Sequence, residues 1–180
     1  MKEHAAAMTF LRHLFRSSPD PREALRPLWH RVVELSREPA LYRDDGVADT
    51  VAGRFDMIAA VLALVMLRME RDQGLAAQAA LLTELFVADM DGQLRETGVG
   101  DLMVGKHVGK LMSVLGGRLG ALREALAQPD PAALEAALAR NTTMADGGGE
   151  TAALARRLRA VYPHLCGLDS QLLLAGTFAL

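Results

Sequence analysis

Residues 58–68 read Ile-Ala-Ala-Val-Leu-Ala-Leu-Val-Met-Leu-Arg, ten consecutive apolar residues closed by a cation. A helix that crosses a bilayer needs roughly 20 such residues. The run is too short for that and predicts a helix buried in the core of a folded domain.

The flanking sequence extends this helix in both directions and places others around it. Asp49 or Thr50 can cap its start, and it is expected to continue to about Asp72, with Gly74 as a left-handed stop. Upstream, Asp20, Pro21 and Glu23 supply an N-cap, a proline at the first helical position and the acidic half of a capping box. They open a predicted helix that reaches about Arg37 and is ended by Pro39, with Tyr42 to Gly46 as a loop. Downstream, Leu81, Leu82, Leu85, Phe86, Met90 and Leu94 recur at helical spacing inside a segment from about Leu75 to Glu96.

Gly98-Val99-Gly100-Asp101 makes a break, and Asp101 can cap a helix from Leu102 to about Leu126. Pro129-Asp130-Pro131 ends that helix and starts another, from about Ala132 to Arg140. Asn141 to Gly149 reads as a loop, helix resumes near Glu150 and stops before Pro163, and Asp169 to Leu180 is a short apolar tail able to form a terminal helix. The expectation is an all-α, single compact bundle of about six to eight helices, residues 21–180, preceded by an N-terminal amphipathic segment, residues 1–20.

Composition agrees. Hydrophobic residues make up 51% of the 180 but aromatics only 4%, a balance dominated by Ala, Leu, Val and Met, of which Ala, Leu and Met favour helix. The formal net charge of -2 gives no summed field that would recruit nucleic acid, so an electrostatic partner has to be met by a local patch. Cys166 is the only cysteine, which excludes an internal disulfide and a cysteine-based zinc or redox pair, and fits a reducing compartment. In the N-terminal segment, Met8, Phe10, Leu11, Leu14 and Phe15 alternate with Arg12, His13 and Arg16. That pattern can pack on the domain or lie on an anionic membrane. No secretory signal is read, and the expected location is cytoplasmic, with peripheral contact at the inner membrane as an option.

Three catalytic or ligand motifs can be tested and set aside. Gly100 to His107 matches most of a phosphate-binding loop, but helix precedes it where a strand is needed, and His107 occupies the hydroxyl position. Asp89-Met90-Asp91-Gly92 begins like a calcium loop, yet Gln93 and Leu94 stand where an oxygen ligand and a glycine are required. The carboxylates Asp89 and Asp91 are read instead as a polar helix edge, able to pair with Arg54 or with a partner's cations. The histidines are scattered, with no metal-binding spacing. No cofactor is expected. The methionines Met57, Met66, Met69, Met90, Met103 and Met112 are read mainly as core filler.

The helix after Asp101 is the feature that asks for an explanation. Gly105, Gly109, Ser113, Gly116 and Gly120 follow one another at steps of four, four, three and four, and Gly117 lies beside them. Each helical glycine costs roughly 1 kcal/mol relative to alanine, on the order of 4 to 5 kcal/mol for the five glycines together. Something must approach that backbone closely to offset the cost: a neighbouring helix of the same chain, or a helix of a client in a small-residue groove. Lys106 and Lys110, two of the three lysines, stand at its start, with Arg118 two turns on, as a solvated face or as cations reading an acidic partner.

Several separated stretches resemble the ubiquinol-cytochrome c chaperone family. They are Leu41-Tyr42, Gly46-Val47-Ala48-Asp49-Thr50, Gly53-Arg54-Phe55-Asp56-Met57-Ile58, Asp89-Met90-Asp91, Leu94-Arg95-Glu96, Gly98-Val99-Gly100-Asp101 and Val104-Gly105-Lys106 with Lys110, in order across roughly residues 25 to 160. The resemblance implies a non-enzymatic assembly factor of the cytochrome bc1 complex that binds newly made cytochrome b. Ala60, Val61 and Leu62 stand where family members often carry a histidine, Thr97 where a longer side chain is usual, and His107 and Gly109 where basic residues are common. The functional surface is therefore carried over only to Arg54, Asp89, Asp91, Arg95, Glu96, Asp101 and Lys106, joined by Lys110 and Arg118 on the glycine-bearing helix. Two other readings compete: a structural subunit that homodimerises through the glycine face, and a nucleotide-binding enzyme using the Gly100 to His107 loop.

Overall fold

The computed structural model describes residues 20–96, 104–146 and 151–178, and for residues 94–96 and 104–107 only the backbone. The N-terminal segment up to residue 19, the break at Gly98 to Asp101, the glycines at 147–149 and most of the phosphate-loop look-alike lie outside the described residues.

Among these residues the chain is all-α. Eight α-helices follow in order: α1 (Arg26–Ser36), α2 (Pro39–Arg43), α3 (Val51–Met69), α4 (Ala76–Glu96), α5 (Val104–Ala127), α6 (Pro131–Asn141), α7 (Thr151–Gly167) and α8 (Ser170–Leu174). Single 3-10 turns, Pro21–Leu25 and Gln73–Leu75, lead into α1 and α4. The one β-type contact described is an isolated antiparallel bridge between Val47 and Met144.

Helix α3 is the axis of the bundle. Ile58 to Val65 are all buried, and α1, α4, α5 and α7 pack around the helix. Thr50 caps it by accepting from the Gly53 N–H at 3.1 Å. The tight start of the helix depends on Gly53: a Cβ there would fall 2.0 Å from the Ala48 carbonyl oxygen. In α4, Leu82, Leu85, Phe86 and Met90 turn inward as their spacing predicts, and the Phe86 ring meets Trp29 of α1 edge-on with centroids 6.1 Å apart. Of the methionines, Met57, Met69 and Met90 fill the core, while Met112 is 45% exposed.

Four boundaries differ from those the sequence predicts. The segment after Asp20 begins as a 3-10 turn, and α-helix starts only at Arg26. Pro27 lacks an N–H and its ring would clash with the carbonyl four residues back, so an α-helix cannot run through it from Pro21. Pro39 opens α2 at its first position instead of only ending what precedes it. Gly74 is not left-handed: α3 is stopped by Asp72, whose carboxylate accepts from the Gly74 N–H at 3.0 Å and starts the following turn. Pro163 lies inside α7, which continues to Gly167. Its exposed position lets water reach the carbonyl it leaves unpaired, and the wholly buried Leu165 holds the last turn to the core.

The C-terminal tail is tied down, as a terminal helix. Asp169 caps α8, Arg68 donates from Nη2 to the Leu168 carbonyl at 2.7 Å, and the Ser170 hydroxyl donates to Asp72 at 2.8 Å. Gly176 is left-handed (φ 64°) and presses against the backbone of Pro27, where a Cβ would lie 2.5 Å from the carbonyl oxygen. No helix among the described residues is long and apolar enough to cross a membrane.

Candidate functional site

Helix α5 decides the site because its two faces differ so sharply. Leu111, Leu115, Arg118 and Leu122, at steps of four, three and four, face the bundle and are buried. Gly109, Ser113, Gly116 and Gly117 on the other side are exposed, and Gly120 is half-buried. A Cβ added at Gly109, Gly116, Gly117 or Gly120 would meet nothing within 4 Å. No described part of the chain packs on these glycines, so among the described residues no neighbouring helix accounts for the small-residue face. Gly105 starts the same row, and its surroundings lie outside the described residues.

Arg118 is not part of this open face. It is 8% exposed and lies over the Phe55 ring, 5.5 Å from guanidinium carbon to centroid. Its Nη2 donates to Asp56 of α3, and Nε and Nη2 donate to the Asn141 carbonyl at 3.2 and 2.8 Å. Asp56 in turn accepts from the Thr143 N–H and hydroxyl, at 2.8 and 2.6 Å. The cation expected on a client surface is thus the internal clamp that joins α3, α5 and the turn after α6.

Beside the open face lies a cleft of about 460 Å³. Ser113, Val114 and Gly117 of α5 form one wall, Arg140 and Thr143 another, and the Asp56–Arg118 pair lies at its base. Lys110 and Arg140 are exposed and make no described ion pair or side-chain hydrogen bond. The only carboxylate among the described lining residues, Asp56, is already engaged, so the cleft is left cationic. Arg140 occupies the last turn of α6, where a cation also complements the helix dipole.

The remaining sequence candidates do not converge here. Arg54 pairs with Asp49 at 2.7 Å and not with Asp89 or Asp91, because both partners belong to the entry of α3. That hydrogen bond holds the Asp49 carboxyl below the ordinary carboxylate range. Asp89 is exposed on the rim of a separate cleft of about 990 Å³ between α1 and α4, lined also by Arg37, Glu38 and Val33. Asp91 is half-buried on α4. The stretch Asp89 to Gly92 is helical, which rules out a calcium loop there. The side chains of Arg95, Glu96 and Lys106, and all of Asp101, lie outside the described residues. No group of three metal-ligating side chains occurs among the described residues.

Sequence reading missed Arg140 and Met112 as parts of the site. Met112 reads as core filler with the other methionines, although it falls three residues from Gly109 and four from Gly116, on the side of the glycine row. Arg140 has no signal beyond its place at a helix end.

By its fold the chain is an all-α bundle, and among the described residues a low-relief helix face lies open beside a cationic cleft. The ubiquinol-cytochrome c chaperone model matches residues 43–180, and the chain belongs to that family. Among solved structures it is similar to the Cbp3 homologue from Brucella abortus, with 29% sequence identity, a TM-score of 0.76, and coverage of 94% of this chain and 95% of that one. No curated protein matches the chain.

Proposed function

We propose that the protein is an assembly chaperone of the ubiquinol-cytochrome c reductase (bc1) complex that holds newly made cytochrome b until the complex matures. Family membership supports the assembly role, and the open face of α5 is the observation that carries the holding mechanism. Glycines in an exposed helix lower stability by roughly 1 kcal/mol each relative to alanine. Where no described part of the chain packs on them, the close contact that offsets this cost comes, on this reading, from another molecule. A cytochrome b polypeptide exposes apolar transmembrane helices and charged loops as it emerges, and a face floored by small residues and rimmed by charge shields the first and orients the second.

On this reading Lys110 is a charged contact beside the open face, and Arg54, Asp89, Asp91, Arg95, Glu96, Asp101 and Lys106 are further client contacts carried over from the family resemblance. Holding needs no turnover, nucleotide, metal or cofactor. The client's nature places the work at the cytoplasmic side of the inner membrane, with peripheral contact to anionic lipid.

Co-purification with cytochrome b tests the proposal. Gly116→Leu, which has open space around it, and the pair Lys106→Glu with Arg95→Glu are expected to leave the helical circular dichroism unchanged and to lower recovery of the complex. Unchanged recovery in both would remove this surface as the client site. Light scattering of the free protein checks the competing use of the face: a dimer dissolved by Gly109→Leu with client binding intact would assign it to self-association.

A further inference from the structure

The open face and the cleft beside it differ in chemistry, and the difference specifies the partner further than the family does. From Gly109 to Gly120 the row spans about 16 Å, three helical turns. Its relief is low and its one large exposed apolar side chain is Met112. Only a rod can follow such a row at close range, so the matching surface is a helix with small or apolar residues at three- and four-residue steps.

The cleft adds charge of one sign at the Gly117 level of this row. Arg140 stands free on its wall, and Arg118 at its base is 8% exposed with no acceptor for Nη1. Asp56 accepts from Arg118 and from both the N–H and the hydroxyl of Thr143. The Asn141 carbonyl, at the negative end of α6, is covered by the same guanidinium. The carboxylate and the carbonyl at the base of the cleft are therefore already engaged by other donors, and Arg140 has no described ion-pair partner.

Resting on the chaperone reading above, we propose that the site selects an apolar client helix bearing an acidic side chain, packed along Gly109–Gly120 with its carboxylate seated at Arg140. The acid is expensive to leave unpaired on an apolar helix, and the cleft gives it a cation and the Ser113 hydroxyl. A basic residue in the same place would face Arg140 and the guanidinium of Arg118. The site thereby favours membrane segments whose charge is negative and rejects those whose charge is positive.

The test uses the full chain in neutral detergent micelles at pH 8 with three labelled 20-residue Leu/Ala helices that share a Gly-xxx-Gly face and carry one central Asp, Asn or Lys. Fluorescence anisotropy is expected to rank them Asp over Asn by about fivefold, the size of one exposed charge pair of about 1 kcal/mol, with Lys weakest. Arg140→Glu is expected to reverse the order of Asp and Lys, and Gly117→Leu to weaken all three. Equal affinity for Asp and Asn, an order unchanged by Arg140→Glu, or indifference to Gly117→Leu would each overturn the assignment. Cytochrome b recovery with the wild-type protein separates the two readings. If it persists while the peptides are not discriminated, the assembly role stands and the acid selection falls; if it is absent, the assembly role itself falls.

Discussion

Arg118 and Asp56 are paired in the interior, joining α5 to α3 with both residues at most 9% exposed. The pair also fixes the turn after α6, because Arg118 donates to Asn141 and Asp56 accepts from Thr143. One ion pair thus aligns three segments, and the wall of the cationic cleft is built on it.

Removing one partner leaves the other charge buried and unpaired, which typically costs 3 to 5 kcal/mol. Asp56→Ala is expected to lower the stability to urea by about 3 kcal/mol. Replacing both, Arg118→Met with Asp56→Leu, is expected to cost clearly less than the two single losses together. A double mutant that loses the full sum would show that the pair does not act as a unit.

The glycines predict opposite effects at two places in one fold. Gly116→Ala enters open space in a helix interior, so it is expected to raise stability by about 1 kcal/mol while weakening capture of cytochrome b. Gly53→Ala would drive a Cβ into the Ala48 carbonyl at 2.0 Å and is expected to cost at least about 2 kcal/mol through displacement of the α3 entry. Thermal melts of the two variants are the check, and a Gly116→Ala protein less stable than wild type would show that the face is covered within the chain.

Asp72 makes the docking of α8 sensitive to acid. Its carboxyl is held below the ordinary carboxylate range by the hydrogen bond from the Ser170 hydroxyl and by the Gly74 N–H. A depressed folded-state pKa contributes stability above the unfolded value and loses it as pH falls through the folded one. The stability difference between wild type and Asp72→Asn should therefore be constant near neutrality and shrink below about pH 4. A difference that stays constant down to pH 2 would remove Asp72 from the acid response.

Pro163 interrupts α7 at an exposed position, where an alanine would restore the hydrogen bond to the Arg159 carbonyl. Pro163→Ala is expected to stabilise the protein by about 1 kcal/mol, less than the roughly 3 kcal/mol intrinsic difference because proline also stiffens the unfolded chain. Urea titration reads the sign directly. A loss of stability would mean that the proline shapes the last turn that holds Leu165.

Much of this architecture is legible in local chemistry. The caps at Asp20, Thr50, Asp130 and Asp169 are short-range hydrogen bonds between neighbours in the chain, and each forms as a capping residue should. The prolines were read less well, because their effect depends on context: the same ring starts α2 at Pro39, delays α1 at Pro27 and is carried on the wet side of α7 at Pro163. Arg118 offers the clearest missed signal. It continues the Leu111, Leu115, Leu122 seam, and that register outweighs its charge once Asp56 stands opposite.

The amino-acid sequence alone determined that the chain is all-α, that α3 is a core helix, that α5 carries a row of small residues, and which family the ordered motifs resemble. Those properties follow from periodicity, capping and residue order, which act over a few residues at a time. Only the tertiary structure decided that the row at Gly109, Gly116, Gly117 and Gly120 faces away from the bundle, that Arg118 faces in, and that Arg140 joins the site. Which helix face meets a neighbour is set by the simultaneous packing of α3, α4, α5 and α6, and no local rule distinguishes a close internal contact from one reserved for another molecule.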